Sequence, residues 1–411
     1  MSDFYNLSPA EYPMSNGNVI YGFKSNGLDL LRIDFTFEAG SFYQPQMLVA
    51  RAANRLFSEG SKSHGANWLS EYMDFRGINI EKDTGNYDAV LTVYMLRKYA
   101  DDFLPLLLEL FQEPVFDKRD FDAFCNKLKL QLQTAAQKTD VQARTLYYET
   151  VFGKDHLYGR HAEAEDVDRL DLSQIERFYH QHYRLGGAHI VVSGCYDDAL
   201  LKRIGDLFGT FPSLVPDRPE KLAFPLYGPG SVRHKMDNAS QATIRVGSVL
   251  PYTVDDEEYY RFMVLNTVLG GYFGSRLMGN IREEKGYTYG IYSNTQVGRD
   301  YIFFNASSDV GLDVAEQALT EVYKEMERLR AEPIPEAELD LVRSVMKGDF
   351  IRSIDGVFER AERFRMMSVK GITEQFTRNY LHAIDTVTPE QLLEVAQKRL
   401  DRQTMVDVIV G

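Results

Sequence analysis

Residues 270–289 combine glycines with polar side chains at spacings that suit a functional site better than a hydrophobic core. The stretch reads Gly-Gly-Tyr-Phe-Gly-Ser-Arg-Leu-Met-Gly-Asn-Ile-Arg-Glu-Glu-Lys-Gly-Tyr-Thr-Tyr and includes Arg282 and Tyr289. An arginine is a cationic fork that can hold a peptide carbonyl or an acidic group, and a tyrosine hydroxyl can donate to an oxyanion. On these two residues alone, the simpler interpretation is that Arg282 is a surface charge of a helix and Tyr289 a core residue of a strand.

The whole stretch resembles the C-terminal signature of the insulinase, pitrilysin and mitochondrial processing peptidase family, whose members are zinc metallopeptidases. The resemblance implies that Gly270 and Gly271 end one helix and that Ser275 opens the next. It also implies that Arg282 and Tyr289 correspond to a pair that contacts the bound peptide near the scissile bond. Because the surrounding glycines and the Ser-Arg-Leu sequence are all present, we favour this substrate-binding role over the simpler interpretation.

The zinc-binding motif of that family, His-x-x-Glu-His, is absent from the chain. In the motif two histidines on one helix face bind the metal, and the glutamate is the general base. The family carries it on the first helix after the first strands, where this chain reads Arg-Ala-Ala-Asn-Arg-Leu-Phe-Ser-Glu-Gly-Ser over 51–61. The Leu-Phe and Gly-Ser pairs resemble the family text and fix the register. On that register Arg51 and Arg55 replace the histidines, Asn54 replaces the base, and Gln131 stands near the third ligand.

These replacements remove the side chains that zinc chemistry requires. A guanidinium stays protonated and has no free lone pair for a metal, and an amide cannot transfer a proton. We therefore expect no zinc cofactor and no catalytic residue in this chain. His180 and His182 are two residues apart and point to different faces of a helix. The other histidines and the two cysteines show no metal-ligand spacing.

Alternation of apolar and polar residues predicts the strands of the first half. Leu31–Glu38 alternates strictly, which predicts a strand with one buried face. Asn26-Gly27 before it predicts a tight hairpin with a strand at Val19–Lys24. Helices are predicted at 46–58 and at 67–75, with Gly77 ending the second, followed by strands at 78–81 and 89–95 and a helix at 101–111.

The second half repeats this order. A strand is predicted at 242–246, a helix from an N-cap at Asp255 to Leu269, a helix at 275–284, strands at 288–293 and 301–306, and a helix at 313–329. The repeated order indicates an internal duplication. Antiparallel strands with helices, without regular βαβ spacing, predict an α+β fold of two similar domains, each a mainly antiparallel sheet covered by helices on one face.

Prolines and glycines between the two halves predict a linker at 212–230. We therefore expect an N-terminal domain at 1–211 and a C-terminal domain at 231–411. The net charge of −14 argues against nucleic acid or an anionic membrane surface as a partner. The sequence shows no signal peptide and no apolar run of about 18 residues, which favours a cytoplasmic location without a membrane span.

The resemblance also implies how such a chain would function. Family members of this size work as two-chain clamshells, in which one chain supplies zinc and the other supplies the arginine–tyrosine half of the cleft. This chain is expected to be the second kind, with peptides as ligands and a zinc-bearing partner of similar size. Family members bind peptide as a strand added to a sheet edge, which would fall near 78–85 in the first half.

Two alternative functions stay open at this point. The chain could be a homodimeric scaffold or peptide-binding protein, like the core subunits of mitochondrial cytochrome reductase, which keep the fold without zinc. It could also be an active metallopeptidase with a displaced metal site, the alternative that the residues favour least.

Overall fold

The computed structural model describes residues 7–25, 27, 29–213 and 229–411, which form two compact units. Unit 1 comprises Met1–Gln133, Ala162–Arg218 and Ser353–Gly371, and unit 2 comprises Thr134–His161, Pro219–Arg352 and Ile372–Gly411. Each unit therefore contains segments from both halves of the sequence. The domain boundaries expected above stay a prediction, because most of the 212–230 linker lies outside the described residues.

The strands are numbered in chain order. Unit 1 contains β1 (Ala10–Pro13), β2 (Val19–Lys24), β3 (Leu30–Phe37), β4 (Asn79–Thr84), β5 (Ala89–Leu96) and β6 (His189–Gly194). Unit 2 contains β7 (Gly230–His234), β8 (Ala242–Leu250), β9 (Ile291–Val297), β10 (Ile302–Val310) and β11 (Val406–Val410).

The α-helices are also numbered in chain order. They are α1 (Val49–Leu56), α2 (Ala66–Arg76), α3 (Ala100–Gln112), α4 (Lys118–Ala136), α5 (Thr139–Phe152), α6 (Ala164–Val167), α7 (Leu172–His182), α8 (Asp198–Phe208), α9 (Glu257–Asn266), α10 (Ala315–Ala331), α11 (Glu336–Arg352), α12 (Val357–Val369), α13 (Glu374–Thr386) and α14 (Pro389–Arg399). Gly77 ends α2 with a φ of 61°, as predicted. The residue that precedes α9 is Asp256, so the predicted N-cap at Asp255 is wrong by one position.

The two sheets share one topology. The strand order is β1-β2-β6-β3-β5-β4 in unit 1 and β7-β11-β8-β10-β9 in unit 2. The β2–β6 and β7–β11 pairs are parallel, and the other pairs are antiparallel. From β2 and from β7 onward, order and direction are therefore the same. The α+β fold class with two similar, mainly antiparallel halves is confirmed.

The predicted hairpin between β2 and β3 is wrong. Strand β6 lies between them, with Tyr21 of β2 opposite Val191 and Arg32 of β3 opposite Ser193. Asn26 itself lies outside the described residues. Strand β6, about 150 residues further along the chain, pairs with β2 in place of the β3 neighbour that the local turn signal predicted. Tertiary strand pairing often overrides such local preferences.

The prediction of one buried face for β3 is also wrong. Its apolar side chains lie in the main core of unit 1, but Arg32 is 7% exposed and Asp34 is fully buried on the other face. Helix α12 covers that face, and Glu362 pairs with Arg32. Arg32 also donates to Asp34 Oδ1 at 2.8 Å. The polar side chains of β3 therefore form a buried ionic layer instead of a solvated surface.

Unit 2 carries a helix on its second sheet face as well. Helix α5 packs on β11 and β8 through Tyr147 and Val151, which form a small core with Val408 and Phe303. The opposite face of the same sheet packs on α9, α10 and α14. None of the helices in the described ranges is long and apolar enough to cross a bilayer. The cytoplasmic location stays a prediction.

Candidate functional site

The positions expected to replace the zinc ligands and the base lie in unit 1, on α1 and α4. Arg51 and Arg55 are one helical turn apart, and Arg51 Nη2 lies 3.5 Å from Gln131 Oε1. Asn54 is 2% exposed, and its Nδ2 donates to the main-chain carbonyl of Asp83 on β4 at 2.5 Å. The fold brings Arg51 and Gln131 together, whereas Asn54 belongs to the packing between α1 and β4.

Lys82, which the sequence reasoning missed, completes this region. Its Nζ donates to the main-chain carbonyl of Arg55 and to Glu59 Oε1, both at 2.9 Å. Arg55 pairs with the same carboxylate at 3.4 Å. Burial lowers the pKa of Lys82, and Glu59 offsets part of this effect. Zinc is bound by thiolate, neutral imidazole or carboxylate, so this set of cations and amides does not fit a zinc ion.

His156 and His182 are engaged in local structure. His156 is buried, its Nδ1 accepts from the main-chain N–H of Tyr158 at 3.0 Å, and burial lowers its pKa to about 4. His182 Nδ1 lies 3.1 Å from the main-chain carbonyl of Glu38. Across the described ranges, no three or more His, Cys, Asp or Glu side chains are placed to hold a metal ion.

In unit 2 the 270–289 stretch includes parts of two π-helical segments, Thr267–Gly271 and Met278–Glu284. Single π-helical turns in α-helices are frequent at functional sites. Gly270 is required by close packing, because an added Cβ would lie 2.6 Å from Oγ of Ser293 on β9. Gly286 follows the second segment with a φ of +67°, which favours glycine. Glycines thus let this stretch pack tightly beside β9.

Two polar contacts anchor the second π-helical segment to neighbouring helices. Arg276, just before the segment, forms a bidentate ion pair with Glu338 of α11, with distances of 2.9 Å from Nε and 2.8 Å from Nη2. Asn280 Nδ2 donates to Glu325 Oε1 of α10 at 2.7 Å. Bidentate arginine–carboxylate pairs fix geometry as well as energy, so the backbone that carries Arg282 is held in place.

Arg282 and Tyr289 both lie at the surface. Tyr289 is 93% exposed, so the interpretation of this tyrosine as a strand core residue is wrong. The hydroxyl of the preceding Thr288 lies 2.7 Å from the main-chain carbonyl of Asp309 on β10, which fixes the chain next to it. The guanidinium of Arg282 lies 4.6 Å from the ring centre of Phe273. No hydrogen bond joins Arg282 to Tyr289 in the part of the chain that the structure describes.

Unit 2 exposes two further aromatic rings that the sequence reasoning missed, and one of them, Phe273, contacts Arg282. Phe273 is 57% exposed and Tyr292 of β9 is 49% exposed. The alternation of Ile291, Tyr292 and Ser293 is a signal that could have placed Tyr292 on the outer sheet face. Strand β9 ends the strand order of unit 2, and β4 ends that of unit 1. Each candidate region therefore lies beside the last strand of its sheet.

Comparison with known proteins finds one matching family model and several relatives of similar length. The family model described as peptidase M16 inactive domain matches residues 169–346. A Bacillus subtilis protein named uncharacterized zinc protease YmxG is 22% identical to this chain over 77% of the chain and 76% of its own length. A Helicobacter pylori protein named non-peptidase homolog YmxG is 20% identical over 89% of the chain and 85% of its own length.

A solved structure shows the same fold. The peptidase M16 inactive domain from Pseudomonas fluorescens covers 98% of both chains with a TM-score of 0.85 and 20% sequence identity. The family model, the relatives and the shared fold agree with the resemblance carried by 270–289. Residues 169–346 of this chain therefore match the peptidase M16 inactive domain, and the chain shares the fold of a solved M16 protein while its sequence lacks the His-x-x-Glu-His motif.

Proposed function

We propose that this chain is the zinc-free, peptide-binding subunit of a two-chain peptidase. The observation that carries the proposal is the contrast in exposure around 270–289. Arg276 and Asn280 are tied to helices by hydrogen bonds, whereas Tyr289 is almost fully exposed and Arg282 contacts an exposed ring. An anchored backbone that presents a phenol and a guanidinium to solvent supports a role in binding a ligand, because neither side chain stabilises the core.

The chemistry of these two side chains suits a peptide in front of a hydrolytic centre. The guanidinium of Arg282 would hold a peptide carbonyl or an acidic side chain. The hydroxyl of Tyr289 would donate to the carbonyl oxygen as it becomes an oxyanion. A zinc ion, bound by the partner chain, would supply the Lewis acid and the activated water.

The exposed edge of a sheet offers a main-chain template for the peptide. Strand β9 is the last strand of its sheet and lies beside the π-helical segments, with Gly270 packed against Ser293. Strand β4 has the same place in unit 1, where Asn54 donates to its Asp83 carbonyl. A peptide added to such an edge is bound by main-chain hydrogen bonds with little sequence selectivity. This supports peptides as the ligand class.

The test is a reconstitution with a zinc-bearing M16 chain that co-purifies from the native source. Cleavage of a quenched fluorescent peptide is measured for the wild type, for Arg282→Ala and for the control Arg378→Ala, which removes an exposed arginine of α13 paired with Glu374. We expect Arg282→Ala to lower turnover about 100-fold with assembly unchanged, and the control to have no effect. Unchanged turnover would remove Arg282 from the site.

The outcome of purification tests the proposal independently. A chain that elutes only as a self-dimer, and does not exchange with any zinc-bearing relative, would contradict the two-chain peptidase and support the homodimeric scaffold.

A further inference from the structure

The second face of the unit 2 sheet contains a group of polar side chains that the proposed function does not use. By strand register, Arg245 of β8 lies opposite Ser307 of β10, which lies opposite Tyr292 of β9. In the next row, Asn305 lies opposite Asn294. We call these five residues the polar sheet patch. Helix α5 covers β11 and β8 on this face, whereas Tyr292 and Asn294 on β9 are exposed.

Arg245 is a partly buried cation without a carboxylate partner. Its Nη1 donates to Asn305 Oδ1 at 3.0 Å, and its Nε is buried without a hydrogen-bond partner. No carboxylate of the described chain lies within ion-pair distance of it. Burial lowers the pKa of Arg245, Tyr148 and Tyr147 act against this shift, and Arg144 of α5 adds to it. A guanidinium has five N–H donors, so most of its capacity is unused.

Other partly buried arginines of unit 2 are paired differently. Arg276 makes two hydrogen bonds to Glu338, and Arg233 pairs with Asp407 at 2.7 Å. Buried charges in proteins are generally paired, because an unpaired one pays a desolvation penalty without compensation. The guanidinium of Arg245 instead has Asn305 as a hydrogen-bond partner and the Tyr147 ring at 5.9 Å, so its charge has no counter-ion among the described residues.

The neighbouring amides indicate the chemistry of a ligand that would suit this charge. Because Arg245 can only donate, Asn305 must present its Oδ1 to it, and Asn305 Nδ2 then donates to Asn294 Oδ1 at 3.1 Å. This order leaves the amide nitrogen of Asn294 as the donor at the exposed end. The polar sheet patch thus offers donors to a ligand, which suits carboxylate and main-chain carbonyl oxygens.

We propose that Arg245 binds a carboxylate of an extended peptide lying across the polar sheet patch, a role that rests on the proposed peptide-binding function. The carboxylate accepts from Nη2 and from the second N–H of Nη1 as a bidentate pair, because Nε is buried. Asn294 donates to a main-chain carbonyl, and the ring of Tyr292 packs along the peptide. The carboxylate belongs either to an aspartate or glutamate side chain or to the peptide C-terminus.

Isothermal titration of the full chain with three matched dodecapeptides distinguishes these sources. One peptide has a central glutamate and an amidated C-terminus, the second has glutamine and a free C-terminus, and the third has glutamine and an amidated C-terminus. We expect one of the first two to bind about tenfold more tightly than the third, as for one charge-assisted bidentate pair. Equal affinity for all three would overturn the proposal, and so would no binding of any.

Variants assign the preference to Arg245. Arg245→Gln should bind all three peptides with the affinity of the neutral one, and Arg245→Lys should keep only part of the preference because it loses the fork. The control Arg352→Gln removes an exposed arginine of α11 and should keep the full preference. Circular dichroism confirms folding. A preference that persists in folded Arg245→Gln would overturn the role of Arg245 and leave the proposed function intact, because that function is judged by turnover.

Discussion

The regions beside the last strands of the two sheets differ in chemistry although the sheets share one topology. In unit 1, Asn54 packs against β4, and Arg55 and Lys82 share the carboxylate of Glu59. In unit 2, Gly270 packs against β9, and the stretch that follows presents Tyr289 to solvent. In the first region Lys82 and the Asn54 amide nitrogen make their hydrogen bonds within the unit. In the second region the Tyr289 side chain faces solvent, and Arg282 makes a long contact with Glu283 at 3.7 Å. The two units thus keep one strand order while their side chains beside the last strand differ in charge, packing and exposure.

The largest expected effect comes from restoring the ligand set in unit 1. The variant Arg51→His/Asn54→Glu/Arg55→His/Gln131→Glu places two histidines one turn apart and a glutamate where Gln131 now contacts Arg51. We expect it to bind one zinc ion, with an apparent binding free energy of about 10 kcal/mol, as for other protein zinc sites. Metal analysis after gel filtration measures the ratio of zinc to protein.

The matched control for this restoration keeps Gln131 and changes only the three positions on α1. It should bind zinc more weakly, because one protein ligand is missing. If the four-substitution variant folds but holds no zinc, the register that equates Arg51 and Arg55 with the histidines is wrong.

The next largest expected effect is a loss of stability, measured by substituting one arginine from each region. Arg276→Ala removes a bidentate pair whose arginine is 13% exposed, and leaves Glu338 without its partner. We expect a loss of about 2 kcal/mol in the free energy of unfolding, between the values for surface and buried pairs. Arg51→Ala, which loses only a long contact to Gln131, should change it by less than about 0.5 kcal/mol. Urea unfolding of both variants measures this. Equal losses would show that the signature of unit 2 is no more firmly anchored than α1.

A smaller effect separates binding from stability in unit 2. Tyr289→Phe keeps the ring and removes the hydroxyl, so we expect about tenfold lower turnover in the mixed complex, equivalent to about 1.4 kcal/mol. Because Tyr289 is exposed, the free energy of unfolding should not change. Tyr292→Phe is the matched control, since it removes a second exposed hydroxyl of the same unit. Similar turnover for both variants would assign the aromatic surface, and not the Tyr289 hydroxyl, to peptide binding.

The sequence allowed prediction of strand positions and helix ends that depend on a local residue pattern or on an extended motif. The alternation over Leu31–Glu38 located β3, Gly77 located the end of α2, and the glycines of 270–289 located the helix ends in unit 2. It could not predict that β6 lies between β2 and β3, or that α12 buries Arg32 and Asp34. Both features depend on segments that lie about 150 and 330 residues further along the chain. The periodicity of a local sequence window therefore cannot reveal them.

The same limit applies to the candidate sites. The resemblance named Arg51, Asn54, Arg55, Gln131, Arg282 and Tyr289, and their roles stay predictions. It did not name Lys82, Phe273 or Arg245, because each depends on its neighbours in space. The charge of Lys82 is buried beside Glu59 and α1. The charge of Arg245 has no carboxylate within ion-pair distance among the described residues.

The smallest expected effect tests whether the cations of unit 1 replaced zinc as a structural support. Burial lowers the pKa of Lys82 below its ordinary value of about 10.4. The unfolded state therefore binds more protons than the folded state between the two pKa values, so the unfolding free energy of the wild type rises with pH up to about 10.4.

The variant Lys82→Met removes this pH dependence and leaves Glu59 paired with Arg55. We expect its free energy of unfolding to equal that of the wild type or to exceed it by up to about 1 kcal/mol at pH 7.5. The difference between the two unfolding free energies should shrink at pH 9.5. Urea unfolding at both values measures it, with Lys118→Met, an exposed lysine paired with Asp122, as the control. A loss of about 2 kcal/mol or more in Lys82→Met would mean that the Lys82–Glu59 pair supports the fold where the family has its metal.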